Sequence, residues 1–513
     1  MASRVLGRRW FGVVAAGLAI AVGVSAAGCG GEEDAGDAAG QGDGGGDAGP
    51  GDSAGDLGGD TDGGVVPVDP WVAPAEGNQW RAMWNYRGRQ EGAGGNTGQN
   101  ELWISDPLGL DKQSVTNLSG LKGLDPPLSC NYGCVVSPDL VWLGVVTGPP
   151  STDGFTFAIG KFNADLEVSL FKGVTWKDKI DFKFAGTKLF YSERAACTGV
   201  TCQYDIYRVD LATNVNKRDL IATYPPEADL EQSNYQGHFK VSPDGTKLIL
   251  LNTTIRSVKV HMWKEGFGLV PLDFICELGS EGNCSGTGSQ YSDVDPVAIS
   301  PDGRWAVFFT FSDRWQRARL YDLDNPKVAT LTTLASVTSG EFIEHACDPG
   351  VLQDWQWQRV VGDPQFTADG SEVVFTVQTD CTIADTNICP TGPCKPSKAR
   401  TNLMRVKLAT LLEDRALTSA DVFSVTKNPF GDVASNRRIT SFSLSPDGAT
   451  ALFTATPATG QDGKPLSDSS SRHRNDRELY RVRLDGTNLQ QLTNDLSWLA
   501  ETARVAPLPP AGP

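Results

Sequence analysis

The sequence predicts an all-β fold built from repeated antiparallel units, and three observations carry that prediction. One stretch recurs along the chain. SPDGTKLILLN begins at Ser242, and variants begin at Ser137 (SPDLVWLGVV), Lys183 (KFAGTKLFYS), Ser300 (SPDGRWAVFF), Thr367 (TADGSEVVFT) and Ser445 (SPDGATALFT). Each reads as a tight turn feeding a strand of alternating or wholly apolar residues. Composition agrees: 40% hydrophobic residues support a core, and 57 glycines with 30 prolines in 513 residues point to turn-rich β structure. Finally, one such hairpin cannot bury its own face, so units in series must stack to form a core.

Residues 1–28 read as an export signal. Arg4, Arg8 and Arg9 precede an apolar run from Trp10 to Val24, which small residues and Cys29 follow. The run is shorter than the ~20 apolar residues a membrane span needs. Ala26-Ala27-Gly28-Cys29 resembles the lipobox of bacterial lipoproteins, although leucine is more usual at Ala26. The resemblance implies that Cys29 becomes the acylated first residue, anchoring the chain to a membrane. Gly30, where an inner-membrane lipoprotein of enterobacteria would carry Asp, implies sorting to the outer membrane. Arg8-Arg9-Trp10-Phe11 also resembles a twin-arginine signal, so both export routes stay open.

Residues 29–66 read as an unstructured tether. The segment 30–66 has ten carboxylates, no base and almost no apolar residue, so it cannot repay the entropy of ordering. Asp60-Thr61-Asp62-Gly63 echoes the start of a calcium-binding loop, but the remaining ligands of such a loop are missing. The formal charge is −17 overall, and −10 of it remains in residues 67–513. An acidic body without a basic cluster argues against binding nucleic acid or anionic headgroups by charge.

The repeats occupy residues 67–506, with 507–513 as a disordered tail. Pro, Asp and Gly at the second, third and fourth turn positions suit a type I turn with a left-handed exit. Laid on that turn, each unit reads as strand A, the turn, strand B, a loop, strand C, a short turn and strand D. The last copy is the most complete: SFSLSPDGATALFTA gives A and B, and ELYRVRLDGTNLQQLTND gives C, turn and D. Weaker copies are DIYRVDLATN from Asp205, ARLYDLDNPKVATLTTL from Ala318 and NLMRVKL from Asn402; Leu140 replaces a turn Gly and Ala185 a turn Asp. The pattern resembles the WD40-like (PD40) repeat of TolB-type β-propellers. The resemblance implies a propeller, and the TolB family implies a protein partner in the cell envelope. The α/β domain that precedes the propeller in TolB has no counterpart; the tether stands in its place.

A first unit over WRAMWNY (Trp80 to Tyr86), ELWIS (Glu101 to Ser105) and SVTNLS (Ser114 to Ser119) lacks its own strand A. SWLAETARV (Ser497 to Val505) follows the last strand D and would complete it, closing the ring and removing exposed edges. This count predicts seven blades. Six is the alternative, because the repeat spacing runs from 46 to 78 residues.

Extra residues fall in B–C loops (Glu193–Tyr204, Gln378–Arg400, Thr456–Arg477) and D–A connections (Cys276–Asp295, Ala335–Gly362). In a four-stranded meander both kinds emerge on one face. The ten cysteines besides Cys29 gather there as close pairs, Cys130/Cys134, Cys197/Cys202, Cys276/Cys284 and Cys389/Cys394, with Cys347 and Cys381 left to meet above one blade. In an exported chain these read as disulfides; no pair has zinc-finger spacing.

No sequence motif for metalloprotease, nucleotide or serine-hydrolase chemistry occurs. His238 precedes an innermost strand and faces the channel in this reading. Asp293 and Asp295 could act as an acid–base pair in glycoside hydrolysis, though carboxylates before a proline also cap turns. Trp355, Trp357, Tyr235 and Tyr291 supply aromatic anchors in the same loops, or core filler. The expected function is therefore binding or scaffolding in the envelope through the stapled loop face, with no cofactor or resident metal. The partner class is an envelope protein or glycan, and the alternative is a propeller-based polysaccharide lyase or hydrolase at the channel mouth.

Overall fold

A computed structural model describes residues 80–89, 96–105, 113–114, 134–137, 141–146, 155–162, 168–198, 201–226, 235, 237–253, 257–272, 276–277, 297–312, 315–325, 329–333, 355–382, 398–413, 415, 417–418, 420–426, 439–455, 477–493 and 498–507. The expected signal and tether lie outside these residues, as does 508–513 of the expected tail; Pro507, its first residue, ends the last strand. Among them, one short helix, α1 (Leu408–Leu411), interrupts an otherwise all-β chain. No helix of the described residues is long and apolar enough to cross a membrane.

The described strands form six antiparallel sheets in chain order. Sheet 1 joins β1 (Trp80–Arg89), β2 (Asn96–Ser105) and β3 (Gln113–Ser114) to the last strand, β28 (Trp498–Pro507). Sheet 2 has seven strands: β4 (Cys134–Val136), β5 (Trp142–Val146), β6 (Phe155–Phe162), β7 (Val168–Ala185), β8 (Lys188–Thr198), β9 (Thr201–Asp210) and β10 (Arg218–Tyr224). Sheet 3 contains β11 (Phe239–Val241), β12 (Lys247–Thr253), β13 (Ser257–Lys264), β14 (Gly268–Pro271) and the short β15 (Cys276–Glu277). Sheet 4 runs β16 (Val297–Ile299), β17 (Trp305–Ser312), β18 (Trp315–Asp322), β19 (Ala329–Thr333). Sheet 5 runs β20 (Trp355–Phe366), β21 (Glu372–Thr382), β22 (Lys398–Lys407), β23 (Val422–Ser424). Sheet 6 runs β24 (Ile439–Leu444), β25 (Thr450–Ala455), β26 (Glu478–Arg483), β27 (Gln490–Gln491). The fold is a β-propeller.

The hydrogen-bonded sheets number six, the lower of the two expected counts, and β7 is the reason. The units beginning at Ser137 and Lys183 share this 18-residue strand. Its first part pairs with β6, from Phe162↔Val168 to Phe155↔Lys179, and its last part pairs with β8, from Lys179↔Glu193 to Ala185↔Lys188. VSLFKGVTWKDKIDFKFA holds no proline and a single glycine, so nothing ends the strand between the two units. By contrast, β10 ends at Tyr224-Pro225 and β14 at Pro271.

Neighbouring sheets pack through their apolar faces. Phe190, Ile206 and Tyr224 of sheet 2 meet Phe239, Leu248 and Trp263 of sheet 3. Ile249 and Met262 meet Phe308 and Tyr321; Val307 and Phe309 meet Phe375 and Val377; Leu403 meets Phe442 and Phe453. Leu452 and Leu479 of sheet 6 pack on Trp80 and Trp84 of sheet 1, where β28 lies antiparallel to β1 with Met83↔Arg504 and Trp84↔Ala503 in register. Sheet 2 packs on itself: Trp142, Phe157 and Ile159 of its first half bury against Phe182, Phe184 and Tyr191 of its second. Phe157 and Phe182 stack with ring centroids 4.6 Å apart, and Gly144 lets Phe182 approach, because a Cβ there would stand 2.5 Å from the ring.

The recurring turn has the expected geometry. In the copy at Ser300, the Gly303 N–H donates to the Ser300 carbonyl at 2.8 Å, and Gly303 adopts φ 67°. The buried Ser300 hydroxyl accepts from Trp305 N at 2.8 Å and donates to Asp302 at 2.5 Å, while Asp302 accepts from Arg304 N at 3.0 Å. Ser242, Thr367 and Ser445 repeat these bonds with Asp244, Asp369 and Asp447. Each turn rests on the one before it: Gly303 lies beside Asp244, Gly370 beside Pro301, and Gly448 beside Thr367 and Ala368.

Candidate functional site

In each antiparallel meander the A–B and C–D turns leave one side of the sheet and the B–C and D–A connections leave the other. The first side is closed by turn-on-turn contact and by cross-sheet charge pairs. Lys188 reaches Glu265 at 3.8 Å, Arg208 also pairs with Glu265, and Lys247 reaches Asp324 at 3.0 Å. The strand ends on the other side are joined by 114–134, 277–297, 333–355, 382–398, 424–439 and 455–478; the turn side has one connection of comparable length, 407–422, which contains α1.

Four expected loops begin, continue or end as strand: besides the two below, β21 reaches Thr382 and β22 starts at Lys398 within Gln378–Arg400, and β15 takes the first two residues of Cys276–Asp295. Glu193–Tyr204 is expected as a loop, but β8 runs through it to Thr198 and β9 begins at Thr201. After an irregularity between Arg194 and Ala196 the ladder resumes with Ala196↔Gln203, Cys197↔Cys202 and Thr198↔Thr201. Cys197 and Cys202 are disulfide-bonded across directly opposed positions, their Cα atoms 4.0 Å apart. Likewise β20 begins at Trp355, inside the expected connection Ala335–Gly362. Trp355 and Trp357 therefore stand on a strand, opposite Thr382 and Asp380, where pairing with β21 supplies backbone partners; their side chains lie outside the described residues.

The other site residues are distributed as follows. Tyr235 is 6% exposed and fills the core between sheets 2 and 3, edge-on to Tyr204 and Tyr224. Tyr224 in turn hydrogen-bonds His261 Nδ1 at 3.0 Å. Burial pushes the Tyr235 hydroxyl well above its ordinary pKa. Tyr291, Asp293 and Asp295 lie outside the described residues, as do Cys29, Cys130, Cys284, Cys347, Cys389 and Cys394. Cys134, Cys276 and Cys381 stand on β4, β15 and β21, with their side chains outside the described set.

The structure joins His238 to other polar groups. This histidine immediately precedes β11, and its Nδ1 lies 3.5 Å from Asp181 Oδ2 on β7. Asp181 also accepts from Phe182 N at 2.8 Å, Lys183 Nζ at 2.8 Å and Phe239 N at 3.4 Å. Burial pushes the Asp181 carboxyl up, but Lys183 and His238 outweigh it and hold its pKa below the ordinary value. Next to this cluster the buried Ser192 hydroxyl donates to Gly237 O at 2.6 Å, fixing the approach to His238. Sequence reasoning missed Asp181 and Lys183. The available signal was Ile180-Asp181-Phe182-Lys183-Phe184, in which charges alternate with apolar residues on an innermost strand. Among the described residues, no group of three or more His, Cys, Asp or Glu is placed to hold a metal ion.

No protein-family model matches the sequence, and no curated protein matches it. Solved structures do. TolB of Acinetobacter baumannii is similar at 12% identity over 82% of this chain and 81% of that one, with a TM-score of 0.34. Hydrazine synthase of Kuenenia stuttgartiensis matches at 12% identity over 68% and 75%, TM-score 0.37. A protein of unknown function from Desulfotomaculum acetoxidans matches at 11% over 82% and 98%, TM-score 0.37. Similarity of this size says nothing about activity, and the assignment as a propeller rests on the sheets themselves.

Proposed function

We propose that this chain is a cell-envelope propeller, tethered through a lipid on Cys29 and sorted to the outer membrane, that binds a protein partner. The binding face is the side from which the long connections leave. One observation carries the reading: the turn side is closed by contacts between successive recurring turns, so most of the chain's additional length, the connection 407–422 aside, falls to the opposite side of the ring. Irregular segments on a rigid scaffold are the usual seat of recognition.

Cross-linking and affinity capture from an envelope extract of the native cells tests the reading. The full chain should retain a partner, and the double variant Trp355→Ala/Trp357→Ala should lose it. A variant of the turn side, Leu489→Ala, should keep it. Capture of nothing, or loss from the turn-side variant alone, counts against the proposal, and release of shortened glycans from the extract would favour a lyase or hydrolase instead. Cys29→Ser should move the protein from the membrane fraction to the soluble one; continued membrane association would remove the lipid anchor from the account.

A further inference from the structure

We propose that Lys183 and His238 form a carboxylate-binding site at the inner edge of sheets 2 and 3, and that its ligand is an acidic side chain or a C-terminal carboxylate of the protein bound by the propeller. The inference rests on the partner reading above and names the chemistry the partner brings.

Two donors here are held by one buried acceptor. The Asp181 side chain is 11% exposed, whereas those of Lys183 and His238 are 39% and 47% exposed. Among the described residues, Asp181 is the one polar partner of each. An ammonium carries three N–H donors, and the Asp181 bond uses one of them. In the imidazolium form both ring nitrogens donate: Nδ1–H faces Asp181, and Nε2–H, on the far edge of the ring, is the donor offered to a ligand. Backbone bonds from Phe182 and Phe239 fix the Asp181 carboxylate, so the donor pair is set before any ligand arrives.

The ligand class follows from charge and shape. Lys183 and the imidazolium form of His238 are two cationic donors on one buried anchor, and the oxygens of a carboxylate accept from such donors. A free anion would be disfavoured at long range by the surrounding protein, whose residues 67–513 carry a formal −10. A carboxylate delivered by a larger partner is held by contacts elsewhere and escapes that penalty. His238 enters β11 from the connection after β10, on the side where the long connections leave, so the pair is placed where such a partner would dock.

The test is histidine-selective NMR on the full-length protein. It has four histidines, so the ring signal of His238 is assigned by its loss in His238→Gln. Sodium acetate is titrated against sodium chloride at equal ionic strength and fixed pH. The His238 signal should move saturably with acetate and not with chloride, and Lys183→Gln should weaken that response about tenfold. Equal responses to the two salts, or an unchanged acetate response in Lys183→Gln, would overturn the site. The salt comparison needs only the unaltered protein, so a folding defect in the variant cannot rescue the idea. A peptide with a free C-terminus and an amidated peptide with one internal Asp then separate the two sources of carboxylate. Binding of either supports the assignment; acetate binding with exclusion of both overturns it. Absence of acetate binding with partner capture intact removes this site alone, whereas acetate binding without capture overturns the assignment to a partner.

Discussion

Lys247 of β12 crosses to the next sheet, where its Nζ lies 2.6 Å from the Gly303 carbonyl and 3.0 Å from Asp324 Oδ1. The lysine is 6% exposed, although lysines are seldom buried. Its ammonium, with Lys264 beside it, holds the Asp324 carboxyl below its ordinary pKa. Loss of the two partners should therefore be unequal. Lys247→Ala leaves the Gly303 carbonyl without this donor and should cost about 1–3 kcal/mol. Asp324→Asn alters the exposed end of the contact and should cost about 1 kcal/mol or less. Urea unfolding of both variants checks the order; equal costs would mean that the buried end does not matter.

The turn aspartates set an acid limit to stability. Partial burial pushes the Asp302 carboxyl up, but the Ser300 hydroxyl and the Arg304 N–H and charge outweigh it, leaving the pKa lowered. Burial is likewise outweighed at Asp244 by Ser242 and Thr246, and at Asp369 the Thr367 hydroxyl leads the lowering. A folded pKa below the unfolded one adds stability above the unfolded value of about 3.9, lost as pH falls through the folded values. Unfolding midpoints should thus hold above about pH 5 and fall steeply below about pH 4. Asp302→Asn should lower the plateau and make the acid limb shallower. An unchanged limb would place the acid sensitivity elsewhere.

What was legible in the sequence was local. Ser242, Ser300 and Ser445 announce their turns because the bonds that shape each turn lie within five residues. Strand length was not legible, since β7 and the start of β20 are fixed by partners on other strands. The Asp181–His238 contact joins positions 57 residues apart whose neighbours look like ordinary strand and loop. Tyr235 illustrates the same limit: an aromatic before a strand reads equally as anchor or core, and only the packing of Tyr204 and Tyr224 decides where it stands.

Gly144 and Phe182 test the self-packing of sheet 2. Gly144→Ala places a methyl against the Phe182 ring and should cost about 1–3 kcal/mol through overpacking. Phe182→Ala should cost about 3–5 kcal/mol. In Phe182→Ala, adding Gly144→Ala should cost less than it does alone, because the ring it strikes has gone. A double-mutant cycle by urea unfolding measures the difference, and strict additivity would mean that the two halves of the sheet do not press together here.

The Cys197–Cys202 bond closes a loop across the end of the β8–β9 ladder. Closing so short a loop restricts the unfolded chain by about 2 kcal/mol. The hairpin's own register already favours the closed form, which trims that figure. Cys197→Ser/Cys202→Ser should therefore lower stability by about 2 kcal/mol or less and leave the β8–β9 ladder in place. Hydrogen exchange supplies the readout: protection of the Tyr204 to Asp210 amides should persist in the variant, while exchange at Thr198 and Thr201 rises. Loss of protection through β9 would show that the bond builds the ladder and does not merely fasten its end.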